Sequence, residues 1–149
     1  MTTKADLEAF VSLHKLALVG VSRTEGKFSN AAYKELKTKG YRVFGVNHSG
    51  GTVDGDVIYP SLASLPEPVE GAVVFVKPEG AAAAVQDCAA QGIQRVWLQQ
   101  GAQSEEALKI CAEKGIHVVS GECILMFAGK SGFHKFHRFF RDAFGKKLA

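Results

Sequence analysis

The residues whose types and spacing could do chemistry lie in the stretch KLALVGVSRTEGKFSNAAY, from Lys15 to Tyr33. An apolar run ends at Gly20, a polar loop follows, and a helix-forming segment begins near Ser29 or Asn30, either of which could cap it. Gly20 permits a close backbone approach, and Ser22 offers a hydroxyl and an N–H. The start of the helix offers free amides and the positive end of a dipole. Arg23 and Lys27 add cationic donors. Together these groups suit a phosphate or diphosphate held without a metal.

Neither common phosphate loop is present. The dinucleotide fingerprint G-x-G-x-x-G would need glycine where Ser22 and Glu25 stand, and an acid after the second strand, where Asn47 and His48 stand. The P-loop needs four residues between its glycines and a Ser or Thr after the Gly-Lys pair. Here five residues separate Gly20 from Gly26, and Phe28 follows Lys27. NAD(H) and Mg-ATP are therefore poor fits.

Other nucleophiles and ligands carry less. The cysteines Cys88, Cys111 and Cys123 form no CxxC pair, so neither a zinc site nor a disulfide framework is suggested. Cys88 and Cys111 fall on apolar helix faces and read as core, while Cys123 follows the fifth strand and could approach the site. Of the histidines, His14 reads as the end of a leading helix, His117 as a packed strand residue, and His134 and His137 as part of the C-terminal segment. His48 sits in a loop at the candidate site. No catalytic residue or metal ligand is assigned.

The elements that must position these residues follow an alternating pattern. A helix over about 5–13 precedes strands at 16–19, 41–46, 72–76, 95–98 and 116–119. Helices fall between the strands, the third opening at Pro78 and the fourth capped by Ser104. Residues 52–70 read as a polar loop punctuated by Pro60, Pro66 and Pro68. Such alternation predicts an α/β, doubly wound, five-stranded parallel sheet with right-handed crossovers, extended by an N-terminal helix. Ligands of such sheets bind at the carboxyl ends of the strands. Four loops would then surround one site: 20–29, 47–51, 77–80 and 99–104.

The chain has 149 residues, which suits one main domain over 1–129. Its net charge of +3 is concentrated from Lys130 onward, so the body offers no basic face for nucleic acid. In the segment 130–149, Phe133, Phe136, Phe140 and Phe144 recur at helical spacing opposite His134, Lys135, Arg138 and Arg141. That pattern predicts a basic amphipathic C-terminal helix packed on the domain or on a homodimer partner, with a membrane role not expected. Asp6 and Glu8 stand where a signal peptide would be apolar, so a cytoplasmic protein is expected.

The segments VGVSRTEGKFSNAAYKELKTKGYRVFGVN, YPSLASLP, VVFVKPE, VWLQQGAQSEEA and GIHVVSGECILM together resemble the small single-domain CoA-binding proteins. Their Rossmann-like domain is similar to that of the succinyl-CoA ligase alpha subunit. The resemblance covers about 15–126 and implies coenzyme A, or an acyl-CoA, as ligand. It implies Gly20, Val21, Ser22 and Lys27 at the phosphates, and Val46 and Asn47 near the adenosine. Phe75, Val76, Lys77 and Pro78 would flank the adenine, and Gln99, Gln100 and Gly101 would close the site. The chain departs from the family pattern at His48, where many relatives carry proline. Asn47 and His48, neither acidic, accord with the 3′-phosphate of CoA, and equally with the 2′-phosphate of NADP. The ligases use a phosphorylated histidine on a second domain, which is not expected here. The reading is a non-catalytic CoA-binding module, with an NADP-type oxidoreductase or an interaction protein as alternatives.

Overall fold

In the computed structural model the described residues are 2–128, so the expected C-terminal helix at 130–149 lies outside them. The elements run α1 (Lys4–Val11), β1 (Lys15–Val19), α2 (Phe28–Thr38), β2 (Arg42–Val46), β3 (Thr52–Val53), β4 (Asp56–Val57), β5 (Gly71–Val74), α3 (Pro78–Ala90), β6 (Arg95–Gln99), α4 (Glu105–Lys114) and β7 (His117–Glu122). The main sheet has five parallel strands in the order β2-β1-β5-β6-β7. Strand order reverses at β1, which pairs with β2 on one side and β5 on the other. This Rossmann-like α/β architecture matches the fold expected from the alternation of apolar runs.

Side-chain alternation divides the core into two layers. Leu16, Leu18, Val73 and Trp97 face a layer completed by Phe10 and Val11 of α1 and Tyr33 and Leu36 of α2. Ala17, Ala72, Val74, Val96 and Leu98 face the opposite layer, filled by Ala81, Ala84, Val85 and Cys88 of α3 and Ile110 and Cys111 of α4. Strands covered on both faces read as continuous apolar runs, as β1, β5 and β6 do. Trp97 anchors the first layer, 5.4 Å from the Phe10 ring and 6.1 Å from Phe127, and its indole N–H donates to the Glu122 carbonyl at 2.9 Å.

Several local expectations are corrected. Helix α2 starts at Phe28, with Lys27 as the capping residue and no side-chain cap. Ser29 and Asn30 lie inside its first turn and bond to the preceding loop instead. The polar loop contains a small hairpin, β3–β4, closed by Asp54 (φ 55°) and Gly55 (φ 81°). Both turn residues are left-handed, as a two-residue hairpin turn requires. His117 is exposed rather than packed, because it opens β7, an edge strand bonded to β6 alone. Helix α1 ends at Val11, leaving His14 in the connection to β1, where its N–H donates to Glu70 at 2.6 Å.

Candidate functional site

Position is set by the end of β1. Val19 pairs with Val46 on one side and Val74 on the other, so the loops after β1, β2 and β5 leave the sheet side by side. Gly20 sits at their junction with φ +89°, donating its N–H to the Val46 carbonyl at 2.9 Å. A methyl group there would meet Val76 Cγ1 at 3.0 Å and the Phe75 carbonyl carbon at 3.5 Å. Glycine thus serves both the left-handed backbone and the close approach of two loops.

The first loop is internally tied. Val21 is buried, and its carbonyl accepts from Asn47 Nδ2 at 2.9 Å. The Ser22 N–H donates to Ser29 Oγ at 2.9 Å, and its carbonyl accepts from Asn30 Nδ2 at 2.9 Å. Ser22 Oγ in turn accepts from the Thr24 N–H at 3.0 Å. The Ser22 amide is therefore committed, whereas its hydroxyl proton remains available to an acceptor. The first amides of α2 have no intrahelical partner, as at every helix start. Arg23 and Lys27 are exposed and make no ion pair among the described residues.

The second loop is clipped to the first by one side chain. Asn47 donates to Val21 as above and accepts from the Ser49 N–H at 2.9 Å. Its amide is used at both ends, and Val46 is buried in the core, so both residues shape the site from behind. His48 is exposed beside them.

The third loop carries Phe75 and Val76, both half-buried, then exposed Lys77 as the capping residue of α3 and Pro78 as its first residue. The Phe75 ring lies 6.2 Å from that of Phe28. Phe28 is 47% exposed, an unusual state for a phenylalanine and one of the few large apolar surfaces left open. In the sequence, Phe28 stands out only where a P-loop would have its hydroxyl. Its place directly after Gly26-Lys27, at the outset of an amphipathic helix, was the available signal.

The fourth loop stands one strand further out, beyond β5. Gln99 is buried, and its Oε1 accepts from the Ile124 N–H at 3.0 Å, so this side chain holds the turn after β7. Gln100 and Gly101 are exposed, with Gly101 at φ +96°. Nearby, burial raises the pKa of the Glu122 carboxyl at the end of β7.

Burial pushes the thiol of Cys88 up to about 12 and that of Cys111 up to about 11, opposite to what a reactive thiolate needs. Cys123 is buried as well. Among the described residues no cluster of three or more His, Cys, Asp or Glu side chains could hold a metal ion. No helix among them is long and apolar enough to cross a membrane. What the geometry brings together at the carboxyl ends of β1, β2 and β5 is the Gly20 junction, the loop that carries exposed Arg23 and Lys27, and the Phe28–Phe75 ring pair.

The chain is similar to several known proteins. Residues 14–128 match the family described as CoA binding domain. The acetate–CoA ligase [ADP-forming] I of Archaeoglobus fulgidus is 28% identical over 121 residues, which is 74% of this chain and 18% of the ligase. The chain thus spans under a fifth of that relative's length. Protein YneT of Bacillus subtilis is 27% identical over 123 residues, 82% of this chain and 91% of its own. A solved structure, a hypothetical protein from Pyrococcus horikoshii, superposes with a TM-score of 0.78 at 31% identity, covering 83% of this chain and 88% of the other.

Proposed function

The chain belongs to the CoA binding domain family, and from that premise we propose that it binds coenzyme A or an acyl-CoA through the nucleotide half of the cofactor. The diphosphate lies against the first turn of α2, held by its free amides, the Ser22 hydroxyl and Lys27. The adenine rests against the loop 75–78, with Phe28 beside Phe75 as apolar surface. Val46, Asn47 and His48 bound the ribose side, and Gln100 and Gly101 close the site from the outer loop. Cys88, Cys111 and Cys123 are all buried, and the role is that of a carrier, sensor or regulatory module rather than of a ligase. The observation that carries this reading is the meeting of three loops at Gly20, beside two cations without acidic partners among the described residues.

The site needs no metal, because backbone amides and Lys or Arg supply the positive field. Titration calorimetry with CoA should show one molecule bound per chain, with the same affinity in EDTA and in magnesium. Absence of binding, or binding that requires magnesium, contradicts the reading. A homodimer through 130–149 is part of the same proposal. Light scattering of the full chain should report a dimer, and a monomer would remove that part alone.

A further inference from the structure

Resting on the CoA reading, we propose that Arg23 reads the ribose monophosphate of the nucleotide and so separates CoA from dephospho-CoA. In doubly wound sheets the ribose lies at the carboxyl end of the second strand, where an acid takes a free hydroxyl and an arginine a phosphate. Here the segment after β2 contains no acid from Asn47 to Gly51. Its one amide side chain, Asn47, is already committed at both ends. The cation comes instead from the neighbouring loop.

Arg23 lies across Gly51. A methyl group at Gly51 would overlap the arginine side chain at Cδ and stand 2.9 Å from Nη1 and 3.3 Å from Nε. Gly51 also has φ +98°, so its backbone and its bareness both suit a seat for the arginine stem. Among the described residues Arg23 makes no ion pair, and the acids of the two adjoining loops are engaged elsewhere. Glu25 pairs with Lys34 at 3.5 Å, and Asp54 and Asp56 pair with Lys37 at 3.3 and 2.9 Å. That leaves a planar fork of donors bridging the first and second loops. Such a fork matches a phosphate bidentately, which a lysine cannot do. Lys27, at the start of α2, stands with the diphosphate donors instead.

The test compares dissociation constants for CoA and dephospho-CoA by titration calorimetry in the wild type and in Arg23→Ala, Arg23→Lys, Gly51→Ala and Lys27→Ala. Wild type should prefer CoA. Arg23→Ala should weaken CoA about 10- to 100-fold, the worth of one charge-assisted contact, while dephospho-CoA changes less than about twofold. Arg23→Lys should recover part of the preference. Gly51→Ala, which displaces the stem while keeping the charge, should also lower it, and retained dephospho-CoA binding shows that the variant is folded. Lys27→Ala should weaken both ligands alike. If wild type binds both equally, or Arg23→Ala weakens both to the same degree or neither, Arg23 does not read the phosphate. If wild type binds neither, the CoA reading falls and this inference with it.

Discussion

In the proposed CoA site, Lys27 is the residue on which the anion contacts lean most. It caps α2 without a side-chain bond to the helix, so its ammonium is not spent on the fold. Replacing it with alanine should weaken CoA binding by about 1.5–3 kcal/mol, the usual worth of a hydrogen bond to a charged group. Chemical denaturation should show the stability almost unchanged; equal affinity in mutant and wild type would remove Lys27 from the site. Gly20 should behave in the opposite way. Gly20→Ala strains a left-handed residue and crowds Val76, so stability and binding should fall together. Gly20 was legible in the sequence because a glycine that ends a strand announces a close approach of backbone. Ser22 was legible only by half. That its amide is consumed by Ser29 depends on the path of the loop, which no spacing rule encodes.

At the scale of elements, the candidate site is backed by the β2 side of the sheet, while the start of β1 is fixed at the opposite end. Gly45 in β2 has no room for a side chain. A methyl group would overlap Ile58 Cδ1 and stand 2.9 Å from Val21 Cγ1. Gly45→Ala should cost about 1–3 kcal/mol of stability by overpacking, read as a lower urea midpoint. An unchanged midpoint would mean that the chain from Val21 to Ile58 yields freely. The start of β1 is pinned by Glu70, whose carboxylate accepts the N–H groups of His14 and Lys15 at 2.6 and 3.0 Å. Those bonds hold its pKa below the usual carboxylate value. A depressed folded pKa gives stability that is present above the unfolded value and lost as pH falls through the folded one. Glu70→Gln should therefore be less stable than wild type above about pH 4.5, with the difference closing in more acid solution. A difference independent of pH would show that the carboxylate charge plays no part. The apolar strands, and helix α4 with its Ser104 cap, were plain in the sequence, since each depends on its own residues. The hairpin β3–β4 was not. Its strands are two residues each and are held from outside: Lys37 of α2 bonds Asp54 and Asp56, and the Tyr33 hydroxyl donates to Asp56 at 2.8 Å. Only the Asp54-Gly55 pair announced it.

For the molecule as a whole, the parallel order of strands fixes one switch point, and every anion donor of the candidate site lies on the side of it formed by β1 and β2. This is why the sheet topology could be anticipated from alternating elements, while the role of Phe28 and the reach of Arg23 to Gly51 could not: both arise from loops distant in sequence meeting at one edge. The central claim, that these loops bind CoA, is tested most directly by the melting midpoint of the full chain with CoA, NADP and NAD. A ligand at 100 times its dissociation constant adds about 2.7 kcal/mol of stability. In a chain of this size each kcal/mol moves the midpoint by roughly 2–4 °C. CoA in such excess should raise the midpoint by about 5–10 °C, and NADP and NAD at the same concentration by clearly less. A larger shift with NADP than with CoA, or no shift with CoA, would contradict the account.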